Sequence, residues 1–197
     1  MTISKLRSIV QDMARLVDQP GLAEPAILER AQGLMEQLVA QDDWLPDALA
    51  QPHPQYYQQY LLYGDPLNRF SLVSFVWGPG QRTPVHDHTV WGVIGMLRGS
   101  ETEQHFERDA QGVLHPTRAA TLQPGQVACV SPTIGDIHQV SNAHDDRVSI
   151  SIHLYGGNIG RINRHVFDPA GGPAKDFVSG YSNAMTPNLW PAGEAAA

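Results

Sequence analysis

Two histidines, His86 and His88, stand two residues apart after Gly80, in a segment that reads as a strand. Successive side chains of a strand point to opposite faces, so both imidazoles are expected on the same side. Imidazole is the commonest metal-binding side chain, and two on one face are half of a site. A bare His-x-His is ordinarily a pair of surface histidines, but a second stretch changes the reading. Pro132-Thr133-Ile134-Gly135-Asp136-Ile137-His138, followed by Asn142, sets a histidine just after a glycine turn. Its distance along the chain suits two hairpins that bring His138 back beside the first pair.

A third stretch carries different chemistry. Ser151, His153 and Tyr155 alternate with Ile150, Ile152 and Leu154. On a strand the polar three share one face and the apolar three the other. Neighbours on one face can hydrogen-bond in series, the Ser151 hydroxyl fixing the tautomer of His153 and His153 orienting the Tyr155 phenol. The alternative is a solvated strand face; in a barrel the polar face points inward, toward the metal.

The elements that must position these groups fall into two parts. Ile3, Leu6, Ile9, Val10, Met13, Leu16 and Val17 recur at helical spacing, with Thr2 as cap and Pro20-Gly21 as breaker. Pro25 opens a second helix faced by Ile27, Leu28, Ala31, Leu34, Met35, Leu38 and Val39. A short helix is expected around 46–49. From Tyr56 the pattern becomes short β-forming runs between turns, with strands predicted at 57–63, 70–77, 90–97, 101–106, 126–130 and 147–155. Many short strands at close spacing point to a sandwich or barrel. After Tyr155 the chain is rich in Gly and Pro, and with Phe167, Phe177, Tyr181 and Trp190 it reads as a tail wrapped on the barrel; the stretch 194–197 reads as disordered.

Composition narrows the function. The 197 residues suffice for one domain with a sizeable core, and 42% hydrophobic with 17% charged residues is ordinary for a globular protein. A net charge of −7 without a basic run argues against nucleic acid. Cys129 is the sole cysteine, so no internal disulfide forms. The first residues are amphipathic rather than leader-like, and no stretch is apolar enough to span a bilayer. A cytoplasmic enzyme or binding protein is expected, with no membrane partner.

The first two stretches resemble the two motifs of the cupin superfamily: Gly, five residues, His-x-His and the later Gly99; then Pro-x-x-Gly-x-x-His and Asn. Many cupins keep a glutamate ligand four or five residues after the second histidine, where Gly92 and Val93 stand here. With Trp77-Gly78-Pro79-Gly80 and the Ser151, His153, Tyr155 strand added, the chain resembles the thiol dioxygenases, the cysteine dioxygenase family of cupins, from about Tyr57 to Tyr155. The resemblance implies a mainly β fold, a cupin-type β-barrel or jelly roll with N-terminal helices packed outside. It implies one domain over 1–197, with a helical part at 1–55, a barrel core at 56–155 and a wrapping tail at 156–197.

The resemblance also implies one Fe(II) per chain held by His86, His88 and His138. Three facial ligands leave three positions of an octahedral ion for a thiolate sulfur, O₂ and a further atom. Neutral ligands leave the ion its full charge, which favours ionisation of a bound thiol. Both oxygens end on sulfur, giving a sulfinate. Tyr155, held by His153 and Ser151, would donate to oxygen or to the substrate carboxylate.

Animal cysteine dioxygenases carry a cysteine near the place of Gly92, cross-linked to the tyrosine. Cys129 lies in another predicted strand, so Tyr155 is expected to be unmodified. Those enzymes also clamp the substrate carboxylate with an arginine near the place of Gln59. Glutamine cannot make that bidentate ion pair. Gln-type members of the family resemble 3-mercaptopropionate dioxygenases, and this acid is the expected substrate, with Gln59, Tyr155 and Arg164 (favoured over Arg161) around it. L-cysteine, mercaptosuccinate and a non-oxidative metal-binding cupin are the alternatives. The expected partners are the thiol and O₂, for a monomer or weak homo-oligomer. His53, His105, His115, His144 and His165 read as surface or outer-sphere groups, with His165 the one expected to be an exception. Trp77 and Trp91 read as core.

Overall fold

The computed structural model describes residues 3–190; Thr2, expected as a cap, and the stretch 194–197 lie outside the described residues. Helix α1 (Ser4–Val17) buries Leu6, Ile9, Val10, Met13 and Leu16, the one-sided stripe that an amphipathic helix presents to a core. Helix α2 (Glu24–Val39) carries Pro25 in its first turn and buries Leu28, Ala31, Met35, Leu38 and Val39. A 3₁₀ turn, Asp47–Leu49, follows. Among the described residues no helix is long and apolar enough to cross a membrane.

The strands are β1 (Gln58–Gly64), β2 (Ser71–Trp77), β3 (Val85–His86), β4 (Gly92–Arg98), β5 (Glu101–Arg108), β6 (Leu114–Leu122), β7 (Val127–Val130), β8 (His138–Asn142), β9 (Ser149–Tyr155), β10 (Arg164–Phe167) and β11 (Lys175–Phe177). The six predicted strands fall on β1, β2, β4, β5, β7 and β9, with ends displaced by at most two residues. β3 covers only the start of the His86–His88 segment read as a strand, and the structure adds β6, β8, β10 and β11. β6 escaped notice because its middle is polar, exposed and interrupted by Pro116.

The expected barrel does not form. The strands sort into two open sheets, β1-β2-β9-β4-β7 and β11-β10-β3-β8-β5-β6, and no ladder among the described residues joins them. The physical reason is visible at the β1 edge. Its outward backbone groups are taken by the C-terminal segment: Gln59 N–H donates to Ser182 Oγ at 2.9 Å, Leu61 N–H to Asn183 Oδ1 at 2.7 Å, and Ser182 N–H to Gln59 O at 2.8 Å. An edge satisfied by side chains and a loop has no need of another strand.

The helices cover the outer face of the first sheet. Ile150, Ile152 and Leu154 of β9 join the core that contains α1 and α2, whereas Tyr155 joins Val73, Phe75 and Trp77 on the inner side. Every residue of β2 and β9 is therefore buried. The polar face of β9 points inward between the sheets, not to solvent. Gly95 of β4 marks the closest approach of helix to sheet: a Cβ there would lie 2.6 Å from Met35 Cγ and 2.9 Å from Val39 Cγ1. Gly95→Val should lower stability by about 1–3 kcal/mol through overpacking, read as a lower urea midpoint. Metal binding should be retained, because the inserted bulk lies on the helix side.

Candidate metal centre and substrate cavity

His86 ends β3 and pairs in register with His138, which opens β8. His88 is not on a strand: β3 stops at His86, and the chain turns at Thr89, whose φ is +60°. The two imidazoles share a side for a different reason from strand alternation. Asp136 fastens the turn, accepting from the backbone N–H groups of His88 and Thr89 at 2.9 Å each and from the His88 ring at Nδ1 at 2.8 Å. Burial opposes charge on Asp136. The donated hydrogen bonds from His88 and Thr89 outweigh it and hold the carboxyl below its ordinary range.

The three rings form an equilateral triangle, with centroids 4.9 Å apart on each side and steep mutual tilts. One ring nitrogen from each lies within 4.8 Å of the other two. Outer partners take the Nδ1 side. His86 Nδ1–H donates to Pro84 O at 3.1 Å, His88 Nδ1–H to Asp136, and His138 Nδ1 lies 3.6 Å from Glu103 Oε1. This leaves the three Nε2 lone pairs for an ion, with second-sphere groups of the kind that orient ligating histidines. Both ring nitrogens of His138 are buried without a hydrogen bond, and a metal would satisfy its Nε2. The set fits a divalent first-row metal held by three neutral nitrogens. Burial, reinforced by His88, pushes His86 down to about 3, and burial with His86, His88 and His105 pushes His138 well below the ordinary range.

The three polar side chains of β9 are hydrogen-bonded in series. Ser151 Oγ lies 2.9 Å from His153 Nε2, and His153 Nδ1 lies 2.8 Å from the Tyr155 hydroxyl. Trp77, read as core, has a polar task as well: its Nε1–H donates to Ser151 Oγ at 3.0 Å. Tyr155 stacks on His88 with centroids 5.3 Å apart. Burial is the main reason its phenol is pushed far up and stays protonated at neutral pH. Burial likewise holds His153 well below its ordinary range. Gly92 pairs with Tyr155 across the strands, and a Cβ at Gly92 would lie 3.0 Å from ring carbons Cδ1 and Cε1. The place beside Gly92 is thus filled by the Tyr155 ring, while Cys129 Sγ lies 3.8 Å from Gln32 Oε1 of α2.

Beside His86 opens a cavity of about 430 Å³ lined by Tyr57, Gln59, Phe75, Arg164, Ser179 and other residues. Arg164 is 3% exposed. Its Nη2–H donates to Ser179 Oγ at 2.7 Å, its face lies 4.5 Å from the Phe177 ring, and its Nε has no partner. Arg161 is exposed and lines a different depression. The Gln59 amide N–H groups go to Ser179 Oγ at 3.0 Å and to Gly180 O at 2.9 Å. Among the described residues, the cavity lining contains no carboxylate.

Several residues near the centre escaped the sequence reading. Asp136 stood inside a quoted motif without a role. Asp87 accepts from His165, at Nδ1 (2.7 Å) and at the backbone N–H (2.8 Å), tying β10 to the end of β3; His165, singled out as the exception among the remaining histidines, stands outside the three-histidine triangle. Glu101, Glu103 and His105 point inward from β5, and Glu103, His105 and His138 form a second buried group of possible ligands. The signal was available: three titratable residues at period two on a predicted strand.

Two facing sheets with a buried three-histidine triangle between them define a mononuclear metal site of the cupin type. Residues 26–168 match the family described as "Cysteine dioxygenase type I", and the chain belongs to that family. Similar proteins include "Cysteine dioxygenase type 1" of Danio rerio, 27% identical over 74% of this chain and 73% of that one. The Homo sapiens protein of the same name is 26% identical over 73% and 72%. Among solved structures, an uncharacterized conserved protein with a double-stranded β-helix domain from Klebsiella pneumoniae superposes with a TM-score of 0.46 at 18% identity, covering 58% of this chain and 84% of that one.

Two expectations follow. Asp136→Asn should weaken metal affinity about 10–100-fold, measured by competition with a chelator, because the amide supplies no charge to His88. The metal-free protein should lose stability as pH falls. His86, His138 and His153 are depressed in the fold, so their contribution is complete above the unfolded value near 6.5 and disappears as pH drops toward the folded value of about 3 for His86. Glu101, raised to about 8, acts in the opposite sense above its unfolded value of 4.5, one group against three. Urea unfolding at a series of pH values below 6.5 would show the decline; a flat profile would contradict it.

Proposed function

We propose that the chain is a non-haem iron thiol dioxygenase that adds both atoms of O₂ to the sulfur of a small mercapto-carboxylic acid. The observation that carries this reading is the juxtaposition of three buried imidazoles, a protonated phenol and a cavity whose lining includes one buried guanidinium. Ferrous iron at His86, His88 and His138 would supply the Lewis acidity that ionises a thiol and a route for electrons from sulfur to O₂, the four electrons that reduce O₂ coming from the sulfur itself. Arg164 receives the carboxylate, in keeping with its buried, incompletely paired guanidinium. Tyr155, protonated and held by His153, serves as the hydrogen-bond donor beside the centre. Phe75 and Val166 in the cavity wall limit water around the sulfur.

Two substrates remain in play. The family and the printed names of its relatives favour L-cysteine, oxidised to cysteine sulfinate. One observation favours 3-mercaptopropionate: the lining offers a cation for a carboxylate and no carboxylate for an ammonium. Oxygen uptake by the Fe(II)-loaded protein should match sulfinate formed, and the larger kcat/KM of the two identifies the substrate. No uptake with either, or with mercaptosuccinate, would leave a non-oxidative metal-binding cupin.

The residues give sharper outcomes. Arg164→Gln should lower kcat/KM about 10- to 150-fold, the loss of a charge-assisted hydrogen bond worth about 1.5–3 kcal/mol. Tyr155→Phe should lower turnover with iron content unchanged; loss of iron would make Tyr155 structural. The intact mass should match the unmodified sequence, since a thioether at Tyr155 would remove two hydrogens.

A further inference from the structure

β5 sends Glu101 and Glu103 into the space between the sheets. Glu103 faces His138 and His105. Glu101 faces the far end of the relay. It is fully buried, and its neighbours Ser151 and Trp77 are close enough to favour its charged form. Neither carboxyl oxygen, however, completes a hydrogen bond of good geometry. A buried carboxyl left one bond short of a serine that already belongs to a hydrogen-bond chain needs a reason.

The donor inventory supplies one. Trp77 Nε1–H can only donate, and it donates to Ser151 Oγ. Ser151 has one proton of its own, and two acceptors compete for it: His153 Nε2 and the Glu101 carboxylate. Neutral His153 has one N–H, so the direction chosen at Ser151 is passed on to Tyr155. We propose that Glu101 is a positioning residue that sets the direction of the hydrogen bonds through Ser151 and His153, and thereby where the Tyr155 proton points.

Two arrangements are possible. With Glu101 protonated, its O–H donates to Ser151 Oγ, Ser151 donates to His153 Nε2, and His153 Nδ1–H donates to the Tyr155 oxygen. The phenol proton is then free to be donated toward the metal centre. With Glu101 ionised, Ser151 donates to the carboxylate, His153 carries its proton on Nε2 and donates to Ser151, and Tyr155 donates back to Nδ1. The phenol then offers the centre only a lone pair. The two arrangements differ by one proton. In passing from the ionised to the protonated arrangement, Tyr155 O–H passes a proton to Nδ1, Nε2–H passes one to Ser151, Ser151 O–H passes one to Glu101, and the phenol takes a replacement from the cavity; the reverse passage returns that proton to the cavity.

The surroundings of Glu101 bear on where the change occurs. Glu103 on β5 and Tyr155 on β9 are the titratable groups that act on it electrostatically or feel its charge. β2 presents Trp77, β6 pairs Leu122 with it, and β8 pairs Asn142 with it, while His138 of β8 faces Glu103. Burial, then Glu103, pushes Glu101 up to about 8. The protonated arrangement therefore prevails at neutral pH.

The inference rests on the proposed chemistry only for its purpose; its test reads the histidine ring directly. Zinc-loaded protein with ¹⁵N-labelled histidine would be examined by NMR at about two pH units either side of the Glu101 value near 8, the His153 signals being assigned by their loss in His153→Gln. The wild type should change from Nδ1–H to Nε2–H as pH rises. Glu101→Gln, whose amide donates to Ser151, should keep Nδ1–H throughout. A wild-type tautomer that does not change, or a Glu101→Gln variant that titrates as the wild type does, would overturn the proposal. The wild-type comparison stands even if the variant fails to fold. In the iron enzyme, kcat should fall about tenfold per pH unit above the Glu101 value, and Glu101→Gln should lack that limb. An enzyme inactive on thiols would leave the NMR outcome intact, so the two failures are distinguishable.

Discussion

The interior between the sheets is built on neutral imidazoles kept out of water. A buried imidazolium without a counter-ion is costly, so burial drives His86, His138 and His153 to the uncharged form. That form has one proton and one lone pair, and the fold must decide which nitrogen carries which. Pro84 O and Asp136 decide it for His86 and His88 by accepting at Nδ1. The lone pairs then face one another, an arrangement that gains from a cation at its centre. Metal affinity here is thus the counterpart of desolvation.

The outer layer makes that interior possible. A sheet with helices on its outer face has two buried sides, and the two sides of β9 differ. Ile150, Ile152 and Leu154 pack under α1 and α2, so β9 has an apolar core on its outer side that does not depend on its polar inner residues. Ser151, His153 and Tyr155 are released to form a polar series that would be a poor core by itself. Gly95 and Gly92 serve the two sides in turn. One lets α2 approach the sheet, and the other leaves room for the Tyr155 ring.

What could be read from the chain follows the range of each interaction. The helical stripes, six strands and the β9 relay are local patterns, and a period of 3.6 or 2 exposes them. His138 was placed beside His86 and His88 through a motif rather than a period. The reasoning that put His88 on a strand failed because β3 ends at His86, and what aligns His88 is Asp136, distant in sequence. Such a bond leaves no periodic trace. β10 and β11 were read as a wrapping tail because three- and four-residue strands among glycines and prolines look like loop. The barrel followed from the family resemblance, and strand density, which left sandwich or barrel open, counts strands but not the partners of their edges.

Those edges matter for the site. Had β1 paired with another strand, its backbone would have been satisfied by a rigid ladder. It is satisfied instead by Ser182 and Asn183 of the C-terminal segment, and that segment also delivers Ser179 and Gly180 to Gln59 and Ser179 to Arg164. Closing the sheet edge and walling the cavity are therefore one structural act. The neutrality of Gln59 belongs to the same act. A guanidinium in its place would sit near that of Arg164 in a buried space whose lining offers no carboxylate. With Gln59 holding the wall by its amide, Arg164 is the one cation that lines the cavity among the described residues, and its Nε remains unpartnered. The charge asymmetry that would select an anionic thiol thus arises from how an open sheet finishes its edge.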